Sequence, residues 1–188
     1  MSDLVDLYRK AVDQFGAYVA QVRDEQWTSS TPCTDWDVHA LVNHVVYENL
    51  WMPPLLEGKT IEEVGDRFEG DMLGDDPKQS WKAASEDAAN AAAQPGALER
   101  TVHLSFGDFP GDGYVSQVLS DHVIHAWDLA RGIGADDRLD SELVQFAYDF
   151  LEPQAEAWRS GGAFGERVQV DDSADTQTKL LAMAGRKA

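Results

Sequence analysis

The chain is poor in positive charge. Of its 188 residues, 15 are Lys or Arg and 34 are Asp or Glu, which gives a formal net charge of −19 at pH 7. Because nucleic acids and anionic membrane surfaces are bound by clustered cations, this balance argues against both as partners. The acids are spread along the chain, as on a solvated surface that keeps a protein soluble.

Cysteine and long apolar runs are also scarce. Cys33 is the one cysteine, which excludes an internal disulfide and any metal site built from several thiolates. The sequence has no run of 18 apolar residues, as a transmembrane helix needs, and its start, MSDLVDLYRK, lacks the layout of a secretory signal. We therefore expect a cytoplasmic protein, with residues 1–188 folding as a single domain.

Apolar residues recur at helical spacing in five segments. The helices predicted from them cover residues 3–27, 34–56, 76–94, 114–131 and 140–160. Thr34 and Asp76 are the expected N-caps of the second and third helices, and Gly132 or Gly134 is expected to end the fourth. Long helices with little strand predict an all-α bundle.

The segments between these helices carry weaker signals. Residues 57–76 are mostly polar and predict a loop with one helical turn at TIEEVGDRF. The stretch ERTVHLSFGDFPGDG, residues 99–113, predicts either a small hairpin or an irregular loop. The tail from residue 165 is expected to hold a short strand and a short final helix.

The segment SDHVIHAWDLARG, residues 120–132, places two histidines and two acids within an apolar run. Asp121 and His125 are four residues apart, so a helix would hold them on one face within about 6 Å at Cβ. His44 lies among Leu and Val residues of the second predicted helix and would meet this pair if the helices pack. Two imidazoles and a carboxylate make a three-ligand metal site with an open position.

Zinc is the expected metal, and iron, nickel or manganese could use the same ligands. Spacing alone leaves a second explanation open, in which Asp121 and His125 form a hydrogen-bonded pair in a bundle without metal. Glu48, one turn after His44, is either an acceptor behind the ligands or a solvated residue. Cys33 precedes a predicted helix, where a thiol pKa can fall, but a half-buried small hydrophobe is the simpler interpretation.

The remaining histidines and one further acid have structural explanations. His39 and His122 are expected to pack, or to support the ligands, rather than to ligate. His103 lies in the irregular stretch and is expected to be exposed or structural. Asp128 is expected to cap its helix or to pair locally with Arg131.

Two stretches, TPCTDWDVHALVNHVV and LSDHVIHAWDLARGIG, resemble the actinobacterial DinB-like proteins, which are related to the metal-binding domain of mycothiol-dependent maleylpyruvate isomerase. The shared pattern is a Trp followed eight residues later by His, and then acid-x-x-x-His-x-Trp-Asp-Leu-Ala. The resemblance implies an up-down-down-up four-helix bundle and a divalent metal held by His44, Asp121 and His125. It also implies that the metal activates a low-molecular-weight thiol such as mycothiol.

The sequence departs from those isomerases in two respects. Asp121 stands where they carry Glu, and this chain is too short to include the additional C-terminal domain that helps to form their substrate site. An unknown small molecule is therefore expected as substrate in place of maleylpyruvate. A metal-dependent thiol transferase or isomerase is the favoured function. A non-enzymatic metal- or ligand-binding bundle and a metal-free bundle are the alternatives, and a homodimer is considered. Trp51, Trp127 and the loop SFGDFPG are expected to line the approach to the metal.

Overall fold

The computed structural model describes residues 3–188, which are mostly helical and include one small sheet. The helices are α1 Leu4–Gln21, α2 Val38–Leu56, α3 Ile61–Val64, α4 Pro77–Ala92, α5 Gly111–Ile133, α6 Ser141–Leu151, α7 Ala155–Ser160 and α8 Thr176–Met183. The strands β1 Thr101–Leu104 and β2 Gly107–Pro110 pair as an antiparallel hairpin. Of the two alternatives for this stretch, the hairpin is the one that forms.

Four long helices make the bundle. α1 packs mainly against α5 and α2 mainly against α4, while α2 also contacts α5 and α1 also contacts α4. Each helix contributes fully or nearly fully buried side chains, such as Phe15 from α1, Leu41 from α2, Trp81 from α4 and Leu119 from α5. The prediction of an all-α, DinB-like four-helix bundle with a small hairpin insertion is confirmed.

The N-terminus of α2 differs from the prediction. The Asp37 carboxylate accepts a hydrogen bond from the backbone N–H of Ala40, so Asp37 and not Thr34 is the N-cap. The chain before it forms a closed loop of bends and turns, because Ser30 and Asp37 form an isolated antiparallel β-bridge and the Val38 N–H donates to the Ser29 carbonyl. Both candidate caps are suitable residue types, and this bridge decides between them.

α5 is longer than predicted at both ends. A Cβ at Gly111 would lie 2.1 Å from the carbonyl oxygen of Ala97, so only glycine lets the helix begin this close to the preceding turn. At the other end Gly134 has a φ of 71°, the left-handed conformation that ends many helices, and confirms the predicted stop. α5 therefore spans the bundle as its longest described element.

Two other predicted helices are shorter than expected. α1 ends at Gln21, because Val22 is extended and buried in the core, and a 3-10 turn follows at Asp24–Gln26. The fifth predicted helix is divided into α6 and α7 by a 3-10 turn at Glu152–Gln154, where a proline removes a backbone donor. Residues 161–175 form loops, so the predicted short strand of the tail is wrong, whereas the final helix, α8, is present.

The additional helices enlarge the core on the side of α5. α6 packs against α5 and α8 packs against α6, so the last part of the chain returns to the bundle. The buried apolar residues from Leu7 to Ala184 form one connected cluster. Within residues 3–188, no helix combines the length and the apolar character that crossing a membrane requires.

Candidate metal centre

Three side chains meet where α2 faces α5. His44 Nε2 lies 3.2 Å from Asp121 Oδ2, and His125 Nε2 lies 3.4 Å from Asp121 Oδ1. One ligand-type atom from each residue lies within 4.8 Å of the other two. Because a tetrahedral ion with bonds of 2.0–2.1 Å holds its ligand atoms roughly 3.3 Å apart, this spacing suits a shared ion. The structure thus brings the three predicted residues together, while their role as ligands stays a prediction.

The cluster is buried on one side and open on the other. The His125 side chain is 6% exposed, whereas those of His44 and Asp121 are 25% and 34% exposed. Asp121 and His125 lie one helical turn apart, and His44 reaches them from the facing helix. A group bound at this point would contact the protein through three side chains and would face the adjoining cavities on its remaining side.

The indole of Trp36 covers both imidazoles. Its ring centroid lies 4.6 Å from that of His44 and 5.5 Å from that of His125, and the two imidazoles are 5.1 Å apart in an edge-on arrangement. The segment carrying Trp36 is itself fixed, because the hydroxyl of Thr31 donates to the Trp36 carbonyl over 2.8 Å. This packing restricts rotation of the histidine rings.

His125 is held from behind by a buried carboxylate. Its Nδ1 lies 3.0 Å from Oδ2 of Asp128, which is completely buried and in turn accepts hydrogen bonds from Nη2 and Nε of Arg186 over 2.9 and 3.3 Å. With Nδ1 engaged in this way, Nε2 is the ring nitrogen that faces Asp121. A carboxylate behind a histidine in this geometry is the usual support of a metal-binding imidazole.

The predicted pairing of Asp128 with Arg131 is therefore wrong. The Arg131 guanidinium donates to Asp137 over 3.1 Å and lies 5.5 Å from the ring of Trp127. The helix turns Asp128 inward, towards Arg186 in the C-terminal segment, while Arg131 lies on the exposed side.

The charge states of Asp121 and His125 depend strongly on each other. Burial opposes ionisation of Asp121, but the neighbouring His125 and His44 hold the pKa of this carboxyl well below its usual range. Burial likewise opposes a charge on His125, yet Asp121 and Asp128 together raise the pKa of His125 to about 9. Without a metal, the pair at neutral pH is an imidazolium and a carboxylate, so a metal would have to displace the His125 proton.

Two cavities border the cluster. Five residues line both of them: His44, Asp121, Ile124, Ala163 and Phe164. The large cavity, of about 520 Å³, extends to Thr34, Asp35 and Arg186. The small cavity, of about 190 Å³, extends to Glu48 and Gln117. A molecule in either cavity would therefore lie beside His44 and Asp121.

Glu48 is the acid that distinguishes the small cavity. It lies one turn after His44 on α2 and lines the cavity together with Gln117. Burial, with a further contribution from the charge of Asp121, raises the pKa of Glu48 to about 7, although His44 and His125 act in the opposite direction. Of its two predicted explanations, a fully solvated side chain does not fit this setting.

The other three histidines lie away from the cluster. His103 pairs with Asp108 across the hairpin at 2.7 Å, and His39 lies 3.7 Å from Asp71 near the surface. His122 is completely buried, and its ring packs between those of three aromatic residues: Tyr8, Phe15 and Trp81. None of the three contributes to the cluster, as predicted.

The predicted lining of the approach is wrong. Trp127 is buried beneath Arg131, and Trp51 packs against Tyr47 and Phe68. Residues 162–165 and 184–186 line the large cavity instead. These two segments have no periodicity and no recognisable motif, so no sequence signal placed them beside α2 and α5.

Cys33 also lines the large cavity. It is half-buried, and this burial raises the pKa of its thiol, with smaller contributions from nearby charges. A thiol with a raised pKa is a weak nucleophile at neutral pH. The structure therefore favours the interpretation of Cys33 as a small apolar wall residue.

The fold and the cluster together define a DinB-like helical bundle with a candidate metal centre between two of its helices. The family described as the mycothiol maleylpyruvate isomerase N-terminal domain matches residues 8–130. Two uncharacterized proteins of Mycobacterium tuberculosis, from strains CDC 1551 and H37Rv, are each 32% identical over 142 residues, which cover 73% of this chain and 71% of theirs. This chain belongs to the mycothiol maleylpyruvate isomerase N-terminal domain family.

Solved structures show the same fold. The crystal structures of the mycothiol-dependent maleylpyruvate isomerase and of a histidine-to-alanine mutant of that enzyme superpose with TM-scores of 0.64 and 0.63. Each match covers 88% of this chain and 73% of the other, at 17% sequence identity. At that identity the likeness concerns the fold alone.

Proposed function

We propose that this protein binds a divalent metal, most readily zinc, through His44, Asp121 and His125, and uses it in thiol-dependent transfer or isomerisation. The observation that supports the proposal is the convergence of three ligand-type atoms within 4.8 Å of one another beside two cavities. A closed structural zinc site uses four protein ligands, whereas three leave a position for an exogenous group. Nickel and iron are the alternative metals.

The chain's own residues would orient and restrict that site. The carboxylate of Asp128, paired with Arg186, holds the His125 ring so that Nε2 faces the cluster. The indole of Trp36 packs on both histidines and limits their rotation. A divalent ion held here would supply a Lewis acid that lowers the pKa of a coordinating thiol.

We assign the thiol to the large cavity. Its volume of about 520 Å³ lies within the roughly 300–1,000 Å³ range of cofactor and ligand sites, and polar groups from Thr34, Asp35 and Arg186 line it. Mycothiol is the thiol we propose, because the family description and the isomerases of the same fold name it.

Two further parts of the proposal follow from these features. A single domain spanning residues 1–188 is supported by the connected core, to which α8 contributes from the end of the chain. A cytoplasmic location suits a reaction that depends on a free thiol, because thiols are kept reduced in that compartment.

Thiol binding to metal-loaded protein tests the proposal. Untagged protein is stripped of metal, reloaded with zinc and titrated with mycothiol by calorimetry in two buffers of different ionisation enthalpy. We expect binding that needs the metal and releases a proton, because a metal-coordinating thiol is deprotonated. Glutathione serves as the comparison thiol, and the metal-free protein serves as the control.

If neither mycothiol nor simpler thiols bind the metal-loaded protein, the transferase or isomerase assignment is lost, and metal or ligand binding without catalysis becomes the better assignment. Thiol binding that is the same with and without metal would contradict the role given to the cluster.

A further inference from the structure

One wall of the large cavity is built from two segments that lie far apart in the sequence, residues 162–165 and residues 184–186. The segments touch through their backbones, because a Cβ added at Gly185 would lie 2.9 Å from Cα of Gly165. Gly185 also has a φ of 86°, a conformation that residues with a side chain rarely adopt. A glycine here therefore permits a crossing that any other residue would push apart.

The side chain of Arg159, on α7, joins the two segments. Its Nε donates to the Gly165 carbonyl over 3.1 Å, and its Nη2 donates over 2.8 Å to the carbonyl of Met183, which immediately precedes the second segment. The third donor, Nη1, binds the exposed carboxylate of Glu156. The Arg159 side chain is 19% exposed, so its two bonds to carbonyl oxygens are largely shielded from water.

A backbone hydrogen bond continues the same junction. The Val168 N–H donates to the Ala182 carbonyl of α8 over 2.9 Å. Hydrogen bonds from a charged donor are stronger than those between neutral groups, so the guanidinium of Arg159 is expected to contribute most to this junction. Without it, the loop would separate from the end of α8 more often, and the Val168 N–H would become accessible to water.

The wall stands close to the proposed ligands although Arg159 does not. Phe164 of the first segment lines both cavities, and Arg186 of the second binds the buried Asp128 behind His125. Arg159 itself lines neither cavity. Its influence on a molecule in the large cavity is therefore indirect, through the position of the wall.

We propose that Arg159 is a positioning residue of the large cavity. It holds residues 162–165 against residues 184–186, and the wall that they form limits the size of the molecule that can enter. The inference rests on the proposed function only for the identity of that molecule, which we assign as a thiol. The wall itself does not depend on a metal, because its hydrogen bonds involve none of the three proposed ligands.

Hydrogen exchange of the Val168 amide measures the junction directly. Arg159→Met keeps the length and the apolar part of the side chain but removes its donors. In the full-length protein, metal-free and zinc-loaded, we expect the Val168 amide to exchange about tenfold faster or more. The reason is that loss of a charge-assisted hydrogen bond raises the population of a locally open state by about that factor. Amides in the middle of α5 serve as the reference and should be unaltered.

The thiol of Cys33, which lines the large cavity, measures the size limit in the metal-free protein. Iodoacetamide and the much larger iodoacetamidofluorescein alkylate the same thiolate, so the ratio of their rates at one pH does not depend on the thiol pKa. Relative to a free thiol, the wild type should disfavour the larger reagent. Arg159→Met should raise the rate of the larger reagent by about tenfold, and that of iodoacetamide by much less, because only the larger one requires the open wall.

Three further variants locate the effect. Gly185→Ala places a Cβ against the backbone of Gly165 without changing Arg159, and should reproduce both results. Gly96→Ala is the control, because Gly96 has a similar φ of 76° but no atom within 4 Å of the added Cβ. Glu156→Gln weakens only the exposed bond of Arg159 and should have little effect on either measurement.

Arg131→Met makes the same chemical change in the exposed pair with Asp137, and should leave both measurements as in the wild type. Unchanged exchange of the Val168 amide in Arg159→Met would overturn the proposal, as would wild-type protein that does not discriminate between the two reagents. Equal acceleration of the α5 amides would also overturn it, because that result indicates a general loss of stability. Failure of thiols to bind the zinc-loaded protein, with both measurements as expected, would instead remove the proposed chemistry and leave the role of Arg159 standing.

Discussion

His122 and His125 stand three residues apart on α5, yet their surroundings have opposite consequences for charge. His122 is completely buried among aromatic rings, and its Nδ1 lies 2.8 Å from the Val118 carbonyl of its own helix. Burial lowers the pKa of His122 to about 4, whereas Asp121 and Asp128 overcome burial and raise the pKa of His125 to about 9. One histidine is kept neutral and the other is held as a cation.

The difference comes from the partners that each face of α5 meets. The face of His122 meets Phe15 of α1 and Trp81 of α4, which exclude water and offer no countercharge. The face of His125 meets His44 of α2 and, through Asp128, Arg186 of the C-terminal segment. A histidine within an apolar helix is therefore a packing residue or a candidate ligand according to the elements packed against it.

The largest expected effect is on metal affinity. His125→Ala removes one of the three proposed ligands, so zinc affinity should fall by more than the 10- to 100-fold that loss of a supporting residue causes. His103→Ala, a change on the exposed hairpin, should leave it unaltered. Elemental analysis of untagged protein and zinc titration measure both, and equal metal content in the two variants would remove His125 from the site.

The lowered pKa of His122 should make the stability of the protein fall at acid pH. Its pKa is lowered on folding from 6.5 to about 4, so its contribution is complete above pH 6.5 and is lost as the pH falls towards 4. The shift corresponds to about 3 kcal/mol in the free energy of unfolding. Urea unfolding of metal-free protein at several pH values should show this loss in the wild type and not in His122→Leu.

In the metal-free protein, His125 contributes a pH dependence of stability that is opposite in sign to that of His122. Its folded pKa is raised, so its contribution is present below pH 6.5 and is lost as the pH rises through about 9. His122→Leu should still lose stability as the pH rises through about 9. Parallel curves for wild type and His122→Leu on the acid side would contradict the environment assigned to His122.

A smaller effect is expected from the support behind His125. Asp128→Asn keeps the size of the side chain but weakens its hold on Nδ1, and should reduce zinc affinity by about 10- to 100-fold. Asp137→Asn makes the same change in the exposed pair with Arg131, and serves as the control. If both variants bind zinc as the wild type does, Asp128 has a structural role only.

The smallest effect is expected outside both histidine environments. Asp37→Ala removes the N-cap of α2 and should lower the free energy of unfolding by about 1 kcal/mol. Thr34→Ala, at the exposed position that the sequence favoured as the cap, should lower it by less. Urea unfolding measures both losses. If Thr34→Ala lowers the free energy of unfolding more than Asp37→Ala does, Thr34 is the N-cap of α2, as the sequence predicted.

Local rules predicted what depends on a few consecutive residues. Asp76 followed by Pro77 opens α4, and Gly134 ends α5, as expected, because capping and left-handed glycine act within one helical turn. The same rules failed where distant contacts compete with them. The bridge between Ser30 and Asp37 moves the start of α2.

The amino-acid sequence by itself determined that α5 carries Asp121 and His125 on one face, because a spacing of four residues fixes that geometry in any α-helix. Only the tertiary structure decided that His44 meets them, that Arg186 reaches Asp128 from 58 positions away, and that Ala163 and Phe164 border both cavities. The physical reason is that helical spacing is a property of the backbone. Which faces touch depends on how apolar surfaces from the whole chain are buried together.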